Sequence, residues 1–213
     1  MKSFEKIVIA VHGFASDKES GMIRFLTCEL EKQNIGVVAF DLSGHGTNPK
    51  PLTIANCLQD IEEAVQAVRE QTNAPISFFS SSFGGYLTAL YLNQAKEKFE
   101  HIIFRAPAIT MRDALRGILK ENFEKEIEFK GVALTNEFYR ELHEIDLLAI
   151  APSIKQEINI IYGTEDMVVS NDDIIEFATR QGSTLHAIEG ADHRFKRDGD
   201  LAEILDVVMQ VLD

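Results

Sequence analysis

Six short runs rich in Ile, Val and Phe punctuate the chain, at residues 7–11, 37–42, 76–80, 101–106, 158–163 and 184–188. Apolar runs of this length predict strands buried on both faces. Between or after most of them, apolar positions recur at helical spacing over 21–32, 54–70, 84–98, 172–180 and 201–212. Strand alternating with helix predicts an α/β fold, with a mostly parallel sheet and helices on both faces. Ligands of such sheets sit beyond the carboxyl ends of the strands, so chemistry is to be sought at the strand exits.

The alternation breaks once. Over residues 108–152 a strongly charged, partly helical stretch, which includes Phe123, Phe129, Phe138 and Tyr139, replaces the expected short connection. Its basic residues (Arg112, Arg116, Lys120, Lys125, Lys130 and Arg140) stand among a larger number of acidic ones, the pattern of a solvated helical face. No fixed-period repeat and no Ser/Gly linker appears. The expected organisation is one domain over 1–213 with a short cap-like insertion.

Charge narrows the partners. The 213 residues, enough for a substantial core, carry 21 Lys and Arg against 34 Asp and Glu, a net charge of −13. That field repels phosphate backbones and anionic headgroups, so neither nucleic acid nor a membrane surface is an expected partner. Cys28 and Cys57 are too few for a disulfide framework, form no CxxC pair, and are expected as reduced core thiols. The first apolar run ends at His12, too early for a signal-peptide core or a membrane span, which makes cytoplasmic residence the default expectation.

Among the strand exits, 76–86 (ISFFSSSFGGY) is the most informative: an apolar strand, a Ser/Gly turn, then a helical pattern. A serine at the apex of such a turn presents its Oγ above the sheet edge, beside the amides at the start of the following helix. Ser82 occupies that apex; the alternative is a serine that merely caps the helix. A reactive serine needs a base and a carboxylate to orient it. His193, just past the 184–188 strand, is the candidate base, and Asp166, in the exit loop of 158–163, the candidate acid. Glu165 and Asp192 compete for the acid's role. A second oxyanion amide is expected from Phe14, where Gly13 lets the chain turn after the first strand, to act with the amide of Phe83. The loop Asp41-Leu42-Ser43-Gly44-His45-Gly46 reads as structural, with His45 as a brace.

His12-Gly13-Phe14, Asp41-x-x-Gly44-His45-Gly46, Ser80-x-Ser82-x-Gly84-Gly85, Gly163-x-x-Asp166-x-x-Val169 and His193 appear in an order that resembles the α/β-hydrolase superfamily, within it the small serine esterases of the cinnamoyl-esterase and monoacylglycerol-lipase-like group. The resemblance covers nearly the whole chain. It implies Ser82 as nucleophile, His193 as general base, Asp166 as orienting acid, Phe14 and Phe83 as oxyanion-hole amides, and no metal or cofactor. Two departures stand out. Ser80 replaces the first glycine of the usual G-x-S-x-G turn, and the chain begins almost at the strand before His12, so that about six strands are expected. The implied activity is hydrolysis of carboxylic esters; Phe123, Phe129, Phe138 and Tyr139 of the insertion, as lining of an acyl or aryl pocket, suggest small or apolar, uncharged acyl or aryl groups, the alternative being that they pack onto the domain. Thioesterase, acyltransferase or peptidase action on the same fold, or a noncatalytic binding role, are the alternatives.

Overall fold

The computed structural model describes residues 4–213. Strands β1 (Lys6–Val11), β2 (Ile35–Ala39), β3 (Ile76–Ser81) and β4 (Ile102–Arg105) precede the insertion, which holds a separate two-stranded hairpin of β5 (Ile127–Phe129) and β6 (Val132–Leu134); β7 (Asn159–Gly163) and β8 (Thr184–Ile188) follow it. The main sheet has six strands in the order β2-β1-β3-β4-β7-β8, and every pairing in it is parallel. Helices α1 (Gly21–Glu31), α2 (Ile54–Gln71) and α3 (Phe83–Gln94) connect the first strands; α4 (Met111–Leu119), α5 (Asn136–Glu144) and α6 (Leu147–Ile150) belong to the insertion; α7 (Asn171–Gln181) and α8 (Asp200–Leu212) complete the fold.

The chain leaves β1 for β2 on one side and then enters β3 on the other, so β1 and β3 are neighbours whose exits open a crevice. Every residue of β3 is buried, which requires cover on both faces of the sheet. Phe78, Phe79, Phe83 and Phe104 are among the largest fully buried side chains. At roughly 1.5–3 kcal/mol for each large apolar side chain removed from water, this aromatic layer holds the β3 exit in place.

Several details differ from the sequence expectation. The edge strands are not buried on both faces: in β8 only Ile188 is buried, because no further strand covers that side. The second strand starts at Ile35 and stops at Ala39 rather than running over 37–42, since the Leu42 amide donates to His12 Nε2 at 3.0 Å instead of joining a ladder. Helix α3 ends at Gln94, well before residue 98; the extended turn at Ala95 lets Phe99 pack edge-on against Phe78, ring centroids 4.8 Å apart. Cys57 is buried as expected, but Cys28 is exposed, because it faces away from Leu26 and Leu30, the residues α1 turns toward the core.

The insertion is anchored, not loose. Phe138 of α5 is fully buried and stands edge-on to Phe83 at 6.0 Å. Glu141, on the same helix, accepts hydrogen bonds from the first amides of α2, Ile54 N at 2.6 Å and Ala55 N at 3.3 Å, where a carboxylate also meets the positive end of the helix dipole. No helix among the described residues is long and apolar enough to cross a membrane.

Candidate active site

Ser82 sits between β3 and α3 with φ 52° and ψ −114°, a conformation costly for a residue with a side chain, of order 1–3 kcal/mol. Backbone bonds hold it there: Ser82 N donates to Arg105 O (2.9 Å), and Ser82 O accepts from Tyr86 N (3.2 Å) and Ala108 N (3.1 Å). The turn closes only because Gly84 has no side chain; a Cβ there meets Val11 O at 2.5 Å and His12 O at 2.6 Å. Although Ser82 is the N-cap residue of α3, its hydroxyl caps nothing. It lies 3.1 Å from His193 Nε2 instead.

His193 Nδ1 lies 2.7 Å from Asp166 Oδ2. The carboxylate is fully buried, and its other oxygen accepts from Val168 N at 2.8 Å and Val169 N at 3.0 Å, which fixes its plane. An ionised carboxylate only accepts, so Nδ1 carries the proton and Nε2 is left to accept from the Ser82 hydroxyl. The loops bearing acid and histidine are laced together: Glu165 N donates to Ala191 O (3.0 Å) and Gly190 N to Thr164 Oγ1 (2.7 Å). Residues 111 positions apart in sequence therefore meet at one end of the sheet. Of the rival acids, Glu165 is exposed, and Asp192 is exposed with Oδ1 accepting from Arg194 N.

The loop after β1 runs against the same turn, a Cβ at Gly13 falling 3.3 Å from Ser82 Cβ. The Phe14 and Phe83 amides have no backbone acceptor among the described residues. His12 lies beneath: Nδ1 meets Gly13 O at 2.8 Å, Nε2 accepts from Leu42, and burial lowers its pKa to about 4. His45 packs its ring edge against His12 and Phe14, with Nδ1 at 3.0 Å from Ser43 O, and burial lowers its pKa as well. Asp41 braces the loop; burial opposes its ionisation, but donors from Lys18 and Thr47 outweigh that and hold its pKa well below the usual carboxylate range. Ser80, where a glycine is usual, directs its hydroxyl to Thr88 Oγ1 of α3 at 2.8 Å, so the extra side chain is satisfied where strand and helix pack.

Ser82 and His193 open into a cavity of about 480 Å³. Apolar wall comes from Phe14, Met111, Ala114, Ile118 and Phe129. Of the four insertion aromatics, only Phe129 reaches this cavity; Phe138 is core, and Phe123 packs on Tyr139 with centroids 5.4 Å apart. Arg105 also lines it, a residue that sequence reasoning passed over, its signal being a charge at the exit of an otherwise apolar strand. Among the described residues no aspartate or glutamate lines the cavity. A larger hollow, about 650 Å³, lies beside α2 and the end of α3 and includes none of Ser82, Asp166 and His193.

The family model described as serine aminopeptidase, S33, matches residues 2–129, a span that includes Ser82 but neither Asp166 nor His193. No curated protein matches the sequence significantly. Among solved structures, the chain is similar to Est1E from Butyrivibrio proteoclasticus, solved with ferulic acid bound, at 19% identity and a TM-score of 0.83, covering 99% of this chain and 90% of that one. It is similar to the Pyrococcus furiosus esterase Pf2001 at 21% identity and a TM-score of 0.81, covering 100% and 83%. Mouse alpha/beta hydrolase domain-containing protein 10 is comparably similar, at 21% identity and 0.79, covering 100% and 92%. At these identities the likeness is one of fold, and that fold is the α/β-hydrolase fold.

Proposed function

We propose that this chain, which belongs to the serine aminopeptidase S33 family of hydrolases, is a serine carboxylesterase working through an acyl-enzyme. One observation carries the reading: the Ser82 hydroxyl, His193 ring and Asp166 carboxylate form a continuous hydrogen-bonded line, at 3.1 and 2.7 Å. In the first half-reaction Ser82 Oγ attacks the ester carbonyl carbon as its proton passes to His193 Nε2. The tetrahedral oxyanion is held by the Phe14 and Phe83 amides, each such donor lowering the barrier by roughly 3 kcal/mol. Collapse of the intermediate expels the alcohol, which takes the proton from Nε2 and leaves an acyl-Ser82 ester. Water then attacks that ester by the same route, giving the carboxylic acid and restoring Ser82. Asp166 keeps Nδ1 protonated and supports the imidazolium formed in each half.

The family description raises amide hydrolysis at a free N-terminus as a second reading. An aminopeptidase has an α-ammonium group to bind, and a carboxylate in the pocket is the usual partner for such a cation. The absence of any acid from the cavity lining favours esters. Turnover on a panel of matched ester, thioester and amide substrates, with Ser82→Ala as the blank, tests the reading. Ester hydrolysis that vanishes in the variant supports it; amide turnover exceeding ester turnover, or activity surviving Ser82→Ala, contradicts it.

A further inference from the structure

The wall of the Ser82 cavity carries a charge opposite to that of the chain as a whole. Arg105, Lys130, Arg194 and Lys196 line it with no acidic partner in the lining, in a chain with 34 acidic and 21 basic residues. They converge from three segments: the exit of β4, the tip of the β5–β6 hairpin and the loop after His193. None of the four forms an ion pair with a described residue.

Arg105 is the anchor of the group. Its backbone is fixed against the nucleophile turn, with its carbonyl accepting from Ser82 N and its Cα in register with Ser81. The side chain is half-buried, with Nε donating to Ser81 Oγ at 3.2 Å and the guanidinium carbon 5.0 Å from the centroid of the Phe195 ring. Its two terminal nitrogens, which carry four N–H donors, have no acceptor among the described residues. Burial lowers the pKa to about 10, partly offset by the more distant Asp166 and Asp192, so the group stays charged at neutral pH. The side chain thus presents to the cavity a half-buried positive charge with unused donors, and its planar fork matches a carboxylate in two-point contact.

We propose that Arg105, with Lys130, Arg194 and Lys196 around it, forms an anion subsite beside Ser82, and that the preferred substrate is an ester carrying a second, ionised carboxylate. This deepens the esterase reading and rests on it. The Met111, Ala114, Ile118 and Phe129 wall accommodates the short apolar segment between ester and carboxylate, in place of the wholly uncharged acyl group that the insertion aromatics suggest.

Two matched substrate pairs test the subsite. 4-Nitrophenyl hemisuccinate against 4-nitrophenyl butyrate puts the charge on the acyl side; the butyrate ester of glycolic acid against propyl butyrate puts it on the alcohol side. The expected result is a kcat/KM preference for the charged member of one pair by about tenfold or more, the scale of a charge-assisted hydrogen bond. That preference shrinks as salt is raised, falls roughly tenfold in Arg105→Gln and falls by a smaller factor in the exposed double variant Arg194→Gln/Lys196→Gln. Equal or lower rates on the charged member of both pairs, or a preference indifferent to salt and to the double variant, overturns the proposal. Calorimetry on Ser82→Ala, with monomethyl succinate against methyl butyrate and the butyrate ester of glycolic acid against propyl butyrate, separates this from the esterase reading. Tighter binding of the charged ester without turnover of any ester by the wild type supports the subsite and defeats the hydrolase, whereas turnover with equal binding does the reverse.

Discussion

Phe129, at the end of the first strand of the cap hairpin, stacks on Phe14 with ring centroids 6.1 Å apart and planes 11° from parallel. The contact sets the β5–β6 hairpin against the loop that carries the Phe14 amide, so the hairpin forms part of the cavity wall.

Removing that wall weakens substrate binding. Phe129→Ala is expected to raise KM about two- to tenfold, the worth of one stacked aromatic pair, with a smaller effect on kcat. Steady-state kinetics on an aryl ester checks it. An unchanged KM places the substrate elsewhere in the cavity.

Asp166→Asn keeps the size of the side chain but removes the charge facing His193 Nδ1. Activity is expected to fall by roughly three to four orders of magnitude, with circular dichroism and thermal unfolding nearly unchanged. Glu165→Gln, an exposed neighbour, is the control and stays near wild type. Near-normal turnover in Asp166→Asn reassigns the acid.

The Ser80–Thr88 bond predicts a coupled pair. Thr88→Val leaves the buried Ser80 hydroxyl without its partner and is expected to cost about 1–3 kcal/mol. Adding Ser80→Ala to Thr88→Val recovers part of that loss, because both polar groups are then gone. Additive losses in urea unfolding show that the two side chains act independently.

His12 makes stability depend on pH. Its pKa is lowered from 6.5 to about 4 by burial, so between those values the unfolded chain binds a proton that the folded chain does not. Stability therefore rises with pH through that window and is lost as pH falls below about 6.5 toward 4, by up to roughly 3 kcal/mol. In His12→Gln this contribution to the slope disappears. Parallel pH–stability curves for the two proteins contradict the assignment.

Much of this arrangement was legible in the sequence. The β3–Ser82–α3 turn, the two loops ending at Asp166 and His193, and the alternation of strand and helix all leave local patterns. Apolar runs do not reveal neighbours, which is why the edge strands β2 and β8 read as buried. The cap hairpin left no pattern because β5 and β6 have three residues each, less than two periods of alternation. Arg105, Lys130, Arg194 and Lys196 come together only in the folded chain, so no spacing announces them. Nor does Ser80 in a glycine position announce Thr88, eight residues on, as its partner.

In the proposed mechanism His193 makes Ser82 nucleophilic. Reaction of the folded protein with a fluorophosphonate, followed by intact-mass and peptide mapping, tests it most directly. One equivalent on Ser82 in the wild type, none in Ser82→Ala and greatly slowed labelling in His193→Ala are the predicted results. A folded wild-type protein that stays unlabelled, or a Ser82→Ala protein labelled as fast as the wild type, contradicts it.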